Sequence, residues 1–156
     1  MLQGAVNLVA LLTIPPKGRN EEQDNQFMET LIGAIEISPN DFAGTVMDKI
    51  GANRKIYVAD LCIRQDARRI GVASSLLRYV ELFAIQNQYE EIYLHVEVDN
   101  AIARSLYIKN GYSEIKDCDW SRAFTMQRLH KPPDSYVMLW KSLSEYIDVT
   151  NEIPIQ

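Results

Sequence analysis

The sequence lacks the features of a membrane protein and of a general nucleic-acid binder. No apolar run comes near the roughly 20 residues that a membrane-spanning helix needs. The longest run, Ala5 to Ile14, is interrupted by Asn7, follows no basic residue and has no small-residue cleavage site, which favours a buried strand over a signal peptide. The 16 Lys and Arg against 21 Asp and Glu leave a net charge of −5, which argues against a nucleic-acid surface and weakly favours a cationic acceptor such as an amine.

Cysteine is scarce, and the two that occur are far apart. Cys62 and Cys118 have no C-x-x-C spacing, and they are interpreted as reduced packing residues of an intracellular protein rather than as a disulfide. His95 and His130 form no ligand cluster with them, so no metal site is predicted.

The 156 residues predict one domain spanning the chain, without internal repeats or low-complexity tracts. Apolar periodicity and turn residues predict an order of strands and helices typical of an α/β domain with a parallel pair of strands at its centre. The predicted strands are Val6 to Ile14 and Leu31 to Ile37 (a hairpin), Lys55 to Ile63, Glu91 to Val98, Tyr112 to Lys116 and Tyr136 to Lys141. The first predicted helix covers Gly71 to Gln86. The second is capped by Asp99 or Asn100 and ends at Lys109. Loops are predicted at Pro15 to Asn25 and at Ser38 to Arg54.

The segment Arg68-Arg69-Ile70-Gly71-Val72-Ala73 lies where a buried strand should meet an amphipathic helix. Unpaired backbone N–H groups at a helix start bind anions, Gly71 permits close approach of a ligand, and the arginines add positive charge. Alternatively, Gly71 is only a turn residue and the arginines are solvated. A Ras-type phosphate loop and a dinucleotide-binding fingerprint are excluded, because neither Gly-Lys-Ser/Thr nor G-x-G-x-x-G is present.

This segment resembles the acetyl-CoA motif R-x-x-G-x-G/A of the GNAT acetyltransferase superfamily, and the segment NAIARSLYIKNGY, from Asn100 to Tyr112, resembles a second block of that family. The resemblance extends from about Leu31 to Leu143 and implies a GNAT-like mixed sheet with acetyl-CoA lying between splayed central strands. It implies a pyrophosphate on the amides of Arg69 to Ser74, and a pantetheine arm paired with the backbone of Leu61 to Ile63. The residues implied in cofactor binding are Leu61, Cys62, Ile63, Arg68, Arg69, Ile70, Gly71, Val72, Ala73, Ser74, Asn100, Ala103 and Tyr107.

The resemblance also makes Tyr107 the general acid that protonates the departing thiolate. A phenol of ordinary pKa near 10 suits this donation. The alternative is an aromatic side chain that packs on the helix face beside Ala103.

His95 is the candidate general base. Central strands of a parallel sheet are normally apolar on both faces, so the polar face formed by His95 and Glu97 needs an outlet such as a cleft. An imidazole titrates near neutral pH and suits deprotonation of an amine. The run IYLHV is similar to protein N-terminal acetyltransferases, which implies that Tyr57 acts with His95; Glu97 is the second candidate base, and a structural histidine is the remaining alternative.

The sequence departs from the family at its amino end, where a strand and two helices would precede the hairpin. We therefore expect either an incomplete chain or an acceptor groove built differently, for example by a second copy. The connection from Cys118 to Ser135 is expected to cover the acceptor, as in relatives.

The expected function is transfer of an acetyl group from acetyl-CoA to a primary amine by direct attack in a ternary complex. A protein N-terminus or lysine is the leading acceptor and a small-molecule amine the second. Cys62 is not expected to be a nucleophile, because an apolar strand disfavours its thiolate. A catalytically silent acyl-CoA-binding module is the alternative from another class. The expected location is intracellular, in the cytoplasm or the plastid stroma.

Overall fold

The computed structural model of the chain describes residues 6–14, 28–38, 54–115 and 135–146. Its strands are β1 (Val6–Ile14), β2 (Met28–Ser38), β3 (Lys55–Ile63), β4 (Glu91–Glu97), β5 (Ser113–Glu114) and β6 (Tyr136–Ser142). Its helices are α1 (Val72–Gln86) and α2 (Ala101–Lys109), and a 3₁₀ turn covers Gln65–Ala67. The predicted loop Pro15 to Asn25, nearly all of Ser38 to Arg54, and nearly all of the connection Cys118 to Ser135 lie outside the described residues.

The strands form one sheet in the order β1-β2-β3-β4-β6-β5. The pair β3 and β4 is parallel, and each other neighbouring pair is antiparallel. The predicted hairpin is confirmed, since β1 and β2 pair from Val6 opposite Ile37 to Ile14 opposite Met28. The predicted α/β class with a central parallel pair is confirmed as well.

The two parallel strands pair only at their beginnings. They share three register pairs, the last of which is Tyr57 opposite Tyr93, although β3 continues to Ile63 and β4 to Glu97. The pairing of β3 with β2 shifts register between Ala34 and Glu36, and Asp60, in the same stretch of β3, has φ +51°. Such an irregularity bends a strand. The carboxyl-terminal halves of β3 and β4 therefore separate and leave a gap in the sheet.

The prediction of a buried strand is wrong for the second half of β3. Ile56, Tyr57 and Val58 are buried, but Asp60 and Cys62 are exposed, because the second half of the strand borders the gap. The prediction that Cys62 is a packing residue is wrong for the same reason: it is an exposed, free thiol. Cys118 lies outside the described residues.

Successive side chains of a strand point to opposite faces of the sheet, so the core is divided between the two faces. The larger cluster contains Ile56, Val58, Ile92 and Leu94 together with the apolar stripe of α1, namely Leu76, Leu77, Val80 and Ala84. The opposite face carries a smaller cluster of Tyr57, Tyr93 and Met138. In the part of the chain that the structure describes, neither helix is long and apolar enough to cross a membrane.

Candidate active site

The loop from β3 into α1 presents backbone donors at the open end of the gap. Arg69 (φ +68°) and Gly71 (φ +91°) are both left-handed, and Gly71 is the N-cap of α1 without a side-chain cap. The first helical bond runs from Ser75 N to Gly71 O at 3.0 Å, so the N–H groups of the three residues between them precede the hydrogen-bonded ladder. A Cβ on Gly71 would meet no described atom within 4 Å. This open helix start can hold an anion on its main-chain donors.

The two predicted arginines have different local roles. Arg68 donates from Nε to the Ile63 carbonyl at 3.1 Å, which fastens the loop to the end of β3. Arg69 is exposed, as is Ile70, whose side chain is 71% exposed beside the helix start.

The end of β3 is paired on one side only. Cys62 and Ile63 pair with Ala34 and Gly33 of β2, while no described strand pairs with their other edge. A strand edge of this kind can hydrogen-bond an extended ligand. Leu61, Cys62 and Ile63, the residues predicted to contact a pantetheine arm, belong to this end of β3.

Tyr57 and His95 lie together on the face of the sheet away from the helices. The Tyr57 hydroxyl forms a hydrogen bond with Nδ1 of His95, and the two rings stack at 5.6 Å between centroids. Tyr57 is 0% exposed, whereas His95 is half-buried. The strand register explains the contact, because His95 stands two residues beyond Tyr93, the partner of Tyr57, at the point where the strands separate.

Further aromatic residues surround this pair, and the sequence analysis assigned them no role in the site. The Tyr136 ring meets the His95 ring edge-on, at 4.9 Å and 88°, and Tyr136 is 7% exposed. Tyr93 stacks with Trp140 and donates its hydroxyl to Glu91 at 2.9 Å. Tyr136 and Trp140 belong to β6, and only the pairing of β6 with β4 brings them here.

Glu97, the second candidate base, is half-buried on the same face as His95 and lies opposite Tyr136 in the register. Of the two candidates, His95 is the one in contact with Tyr57. Within the described ranges, no group of three or more metal-ligating side chains is found.

Tyr107 lies on α2, which follows β4 as predicted. Asn100 is the N-cap of α2, and its side-chain Oδ1 accepts a hydrogen bond from Ala103 N at 3.1 Å. Gly111 (φ +85°) follows the end of α2. The Asn100 carbonyl oxygen is therefore engaged by the helix, and Asp99, the other predicted cap, is not the N-cap. Tyr107 is 8% exposed within the larger core cluster, beside the Tyr112 ring at 5.9 Å.

Burial raises the pKa of Tyr107 to about 12. The expectation of an ordinary phenol pKa is therefore wrong, because desolvation disfavours the charged phenolate. Tyr107 therefore remains protonated, and able to donate its proton, at neutral and moderately alkaline pH.

The candidate acid and the candidate base belong to opposite faces of the sheet. Tyr57 is in the smaller cluster and Tyr107 in the larger one. A split parallel pair with a helix start at its open end is typical of α/β proteins that bind anionic ligands at the carboxyl ends of their strands.

Comparison with known proteins identifies the family. The sequence model of the acetyltransferase (GNAT) family matches residues 20–112, more than half of the chain. The chain belongs to this family, which confirms the resemblance seen in the two motifs.

Curated relatives cover parts of the chain. GCN5-related N-acetyltransferase 6, chloroplastic, of Arabidopsis thaliana is 38% identical over 66 residues, which is 42% of this chain and 23% of the relative. An N-alpha-acetyltransferase of Sulfolobus acidocaldarius is 40% identical over 65 residues, 40% of this chain and 38% of the relative. The chain thus matches less than half the length of each.

Solved structures confirm the fold. A GNAT-family acetyltransferase of Staphylococcus aureus superimposes with a TM-score of 0.54 at 18% identity, covering 73% of this chain and 61% of that one. The PaiA N-acetyltransferase of Thermoplasma acidophilum, solved in complex with coenzyme A, has a TM-score of 0.50 at 21% identity, covering 72% and 54%.

Proposed function

We propose that this chain transfers an acetyl group from acetyl-CoA to a primary amine, with a protein N-terminus as the leading acceptor and a protein lysine as the second. The observation that carries the proposal is the contact between Tyr57 and His95 on one face of a sheet whose parallel strands β3 and β4 separate, with Tyr107 in the core cluster of the other face. Family membership supports the reaction, and the N-alpha-acetyltransferase relative supports the acceptor.

Acetyl-CoA binds as a substrate along the open edge of β3. Its pyrophosphate accepts hydrogen bonds from the amides that begin α1, and its pantetheine arm pairs with Leu61 to Ile63. The anionic ligand is further favoured by the positive end of the α1 dipole and by exposed Arg69. The exposed Cys62 lies along this arm and takes no part in the chemistry.

The reaction is a direct displacement in the ternary complex. The neutral amine nitrogen attacks the thioester carbonyl, so that a C–N bond forms and the C–S bond breaks. The proton lost by the nitrogen goes to His95, and the leaving thiolate takes the Tyr107 hydroxyl proton, which solvent later restores. Holding both reactants in one gap supplies the entropic part of the rate enhancement.

The protonation states of the reacting groups fit this mechanism. An amine must lose its ammonium proton before it attacks, and an imidazole that titrates near neutral pH can receive a proton at the operating pH. A buried phenol with a pKa of about 12 is a weak acid, yet it is fully protonated when the thiolate leaves.

The test is incubation of the chain with isotope-labelled acetyl-CoA and a peptide panel, followed by intact-mass analysis and by measurement of thiol release. The panel pairs each free N-terminal peptide with its N-blocked, lysine-containing counterpart, and it includes small polyamines. We expect acetylation of free N-termini. Acetylation of lysine peptides alone would move the acceptor to side chains, and acetylation of polyamines alone would make the enzyme a small-molecule acetyltransferase. Calorimetric binding of acetyl-CoA without turnover on any amine would identify a silent binding module.

We further propose a plastid location, which the chloroplastic relative supports. Fractionation of the cells that produce this chain, with an antibody against it, tests the location, and recovery in the cytosol alone would refute it.

A further inference from the structure

The outer edge of β1 is open. Among the described residues, β1 is the first strand of the sheet and pairs only with β2, so its other edge presents main-chain N–H and C=O groups to a further strand. Strands at the edge of a sheet usually resist association because they are short or carry a charged residue or a proline. β1 has 9 residues, and its sequence, VNLVALLTI, contains neither a charged residue nor a proline.

Both faces of β1 are apolar. Val6, Leu8 and Ala10 pack against the larger core cluster. Val9 and Leu11 alternate with them on the opposite face, and they are 54% and 48% exposed. A strand that is apolar on both faces is typical of the interior of a sheet. The sequence of β1 is therefore that of a strand with neighbours along both of its edges.

The exposed apolar surface extends from β1 onto β2. Leu11 lies opposite Leu31, so the two side chains share a face, and Leu31 is 54% exposed. The irregularity in the pairing of these strands leaves the extra residue, Ile32, on β2, so β1 keeps a regular alternation. The open edge of β1 is therefore regular, and an apolar strip of Val9, Leu11 and Leu31 lies beside it.

The order of residues in β1 matches itself when the strand is reversed about Ala10. If two copies pair antiparallel with Ala10 opposite Ala10, each apolar residue faces an apolar one and each polar residue faces a polar one. The opposed pairs are Val6 with Ile14, Asn7 with Thr13, Leu8 with Leu12 and Val9 with Leu11. A twofold interface requires this property, because every contact between two residues occurs twice. Each chain has a net charge of −5, but no charged residues oppose each other along this strand.

We propose that two copies of this chain associate through β1, which pairs antiparallel with β1 of the second copy about a twofold axis at Ala10. The two six-stranded sheets then form one continuous sheet, and the two apolar strips lie side by side on the same face. The dimer does not depend on the proposed acetyl transfer, so each proposal can fail without the other.

The first measurement is the mass of the full chain by sedimentation equilibrium over a range of concentrations. A reductant is present, so that the exposed thiol of Cys62 cannot cross-link two chains. We expect twice the 17.9 kDa of one chain. Val9→Lys places a charge near the twofold axis at an exposed position, so it should raise the dissociation constant of the dimer about tenfold or more while the chain still folds.

Tyr79→Lys is the matched control for this substitution. Tyr79 is 63% exposed, and it belongs to α1 rather than to β1. The same change from a large exposed side chain to lysine should therefore leave the dissociation constant near that of the wild type. Circular dichroism and thermal unfolding check that both variants fold.

The second measurement tests the register. Val9→Cys and Leu11→Cys are each made in a chain that also carries Cys62→Ser and Cys118→Ser, and one of the two is labelled with ¹⁵N so that intact mass identifies its chain. A disulfide needs Cα atoms within about 7 Å, which the proposed register provides between positions 9 and 11 but not between two copies of either position. We expect oxidation of the mixture to link unlike chains, and oxidation of either variant alone to link few.

Three results of the mass measurements would overturn the dimer: a single chain at every concentration, a dimer that Val9→Lys leaves intact, or a dimer that Tyr79→Lys weakens equally. Assemblies of more than two chains would overturn it as well, because pairing about a twofold axis is closed. Disulfides that form as readily between like chains as between unlike chains would overturn the register about Ala10.

Discussion

The side chain of Asn110 joins the two helices that flank the candidate site. Its Nδ2 donates to the Ser74 hydroxyl in the first turn of α1 at 3.3 Å and to the Leu106 carbonyl of α2 at 2.8 Å. Lys141 of β6 adds to this junction, with Nζ donating to the Asn110 carbonyl at 2.9 Å and pairing with Glu81 of α1 at 2.7 Å. The helix that begins after Gly71 and the helix that carries Tyr107 are therefore connected by polar side chains.

Removal of the Lys141 charge should destabilise the fold. Lys141 and Glu81 have side chains only 16% and 20% exposed, so Lys141→Met leaves Glu81 largely buried without its cation. We expect a loss of about 3 kcal/mol in the free energy of unfolding, measured by urea denaturation. The double variant Lys141→Met with Glu81→Leu should recover part of it, because no unpaired charge remains. Equal stability of the single and double variants would contradict the importance of this pair.

Gly71 should matter for binding more than Gly111 does. Both glycines have left-handed backbones, at φ +91° and +85°, so an alanine at either costs about 1–2 kcal/mol of strain. Only the alanine at Gly71 would place a methyl group in the open space above the start of α1. We expect Gly71→Ala to weaken acetyl-CoA binding in calorimetry about tenfold or more and Gly111→Ala to leave it near wild type. If both variants bind acetyl-CoA with equal affinity, its phosphates do not bind at the start of α1.

Tyr107 should make the folded state sensitive to alkaline pH. Its pKa is about 12 in the folded chain and about 10 in an unfolded one, so the unfolded chain loses its proton first as the pH rises. The stabilisation is complete below about pH 10 and is lost between about pH 10 and 12, up to about 3 kcal/mol. Tyr107→Phe should flatten this dependence in denaturation curves recorded across that range. Burial also raises the pKa of Tyr112, so Tyr107→Phe should remove only part of the dependence.

The same substitution tests the role of Tyr107 in catalysis. Tyr107→Phe should retain affinity for acetyl-CoA and lose kcat by about 100-fold or more, as expected for removal of a general acid. An unchanged kcat would remove Tyr107 from the mechanism.

His95 and Glu97 are distinguished by parallel substitutions. His95→Ala should lower kcat by about 100- to 10,000-fold while the Kd for acetyl-CoA stays near wild type, because the imidazole acts on the acceptor amine. Glu97→Gln should have a smaller effect on kcat. If His95→Ala is fully active and Glu97→Gln is inactive, the base is Glu97.

The contribution of Asn100 as a cap can be separated from a contact with the cofactor. Asn100→Ala removes the acceptor for Ala103 N and should cost about 1 kcal/mol of stability, whereas Asn100→Ser keeps a capping oxygen. If Asn100 also contacts acetyl-CoA, Asn100→Ser should bind it more weakly than the wild type while being equally stable. Wild-type affinity in Asn100→Ser would limit Asn100 to capping.

Much of this fold could be read from local patterns. The period of apolar residues between Val72 and Gln86 predicts α1, and the cap at Asn100 with Gly111 beyond the last turn predicts α2, because helix boundaries depend on nearby residues. The glycine at 71 marks the turn into α1, since few other residues accept its backbone conformation. The family motifs depend on such short segments, which is why they could be recognised without coordinates.

Other features depend on residues that are distant in the chain. The separation of β3 from β4 follows from an irregular pairing of β3 with β2, and no local pattern signals it. That separation exposes Asp60 and Cys62 in the second half of β3, although the largely apolar sequence of the strand predicted burial. Tyr136 meets His95 only because β6 pairs with β4 in one particular register.

The sequence by itself determined the elements, their order and the loop of main-chain donors, because backbone conformation and helix capping respond to neighbouring residues. The tertiary structure alone decided which groups share the site and how strongly they hold their protons. Burial of Tyr107 by residues from several elements raises its pKa, and strand register brings Tyr57, His95 and Tyr136 together. Desolvation and register are properties of the packed sheet, so they arise only when the whole chain is folded.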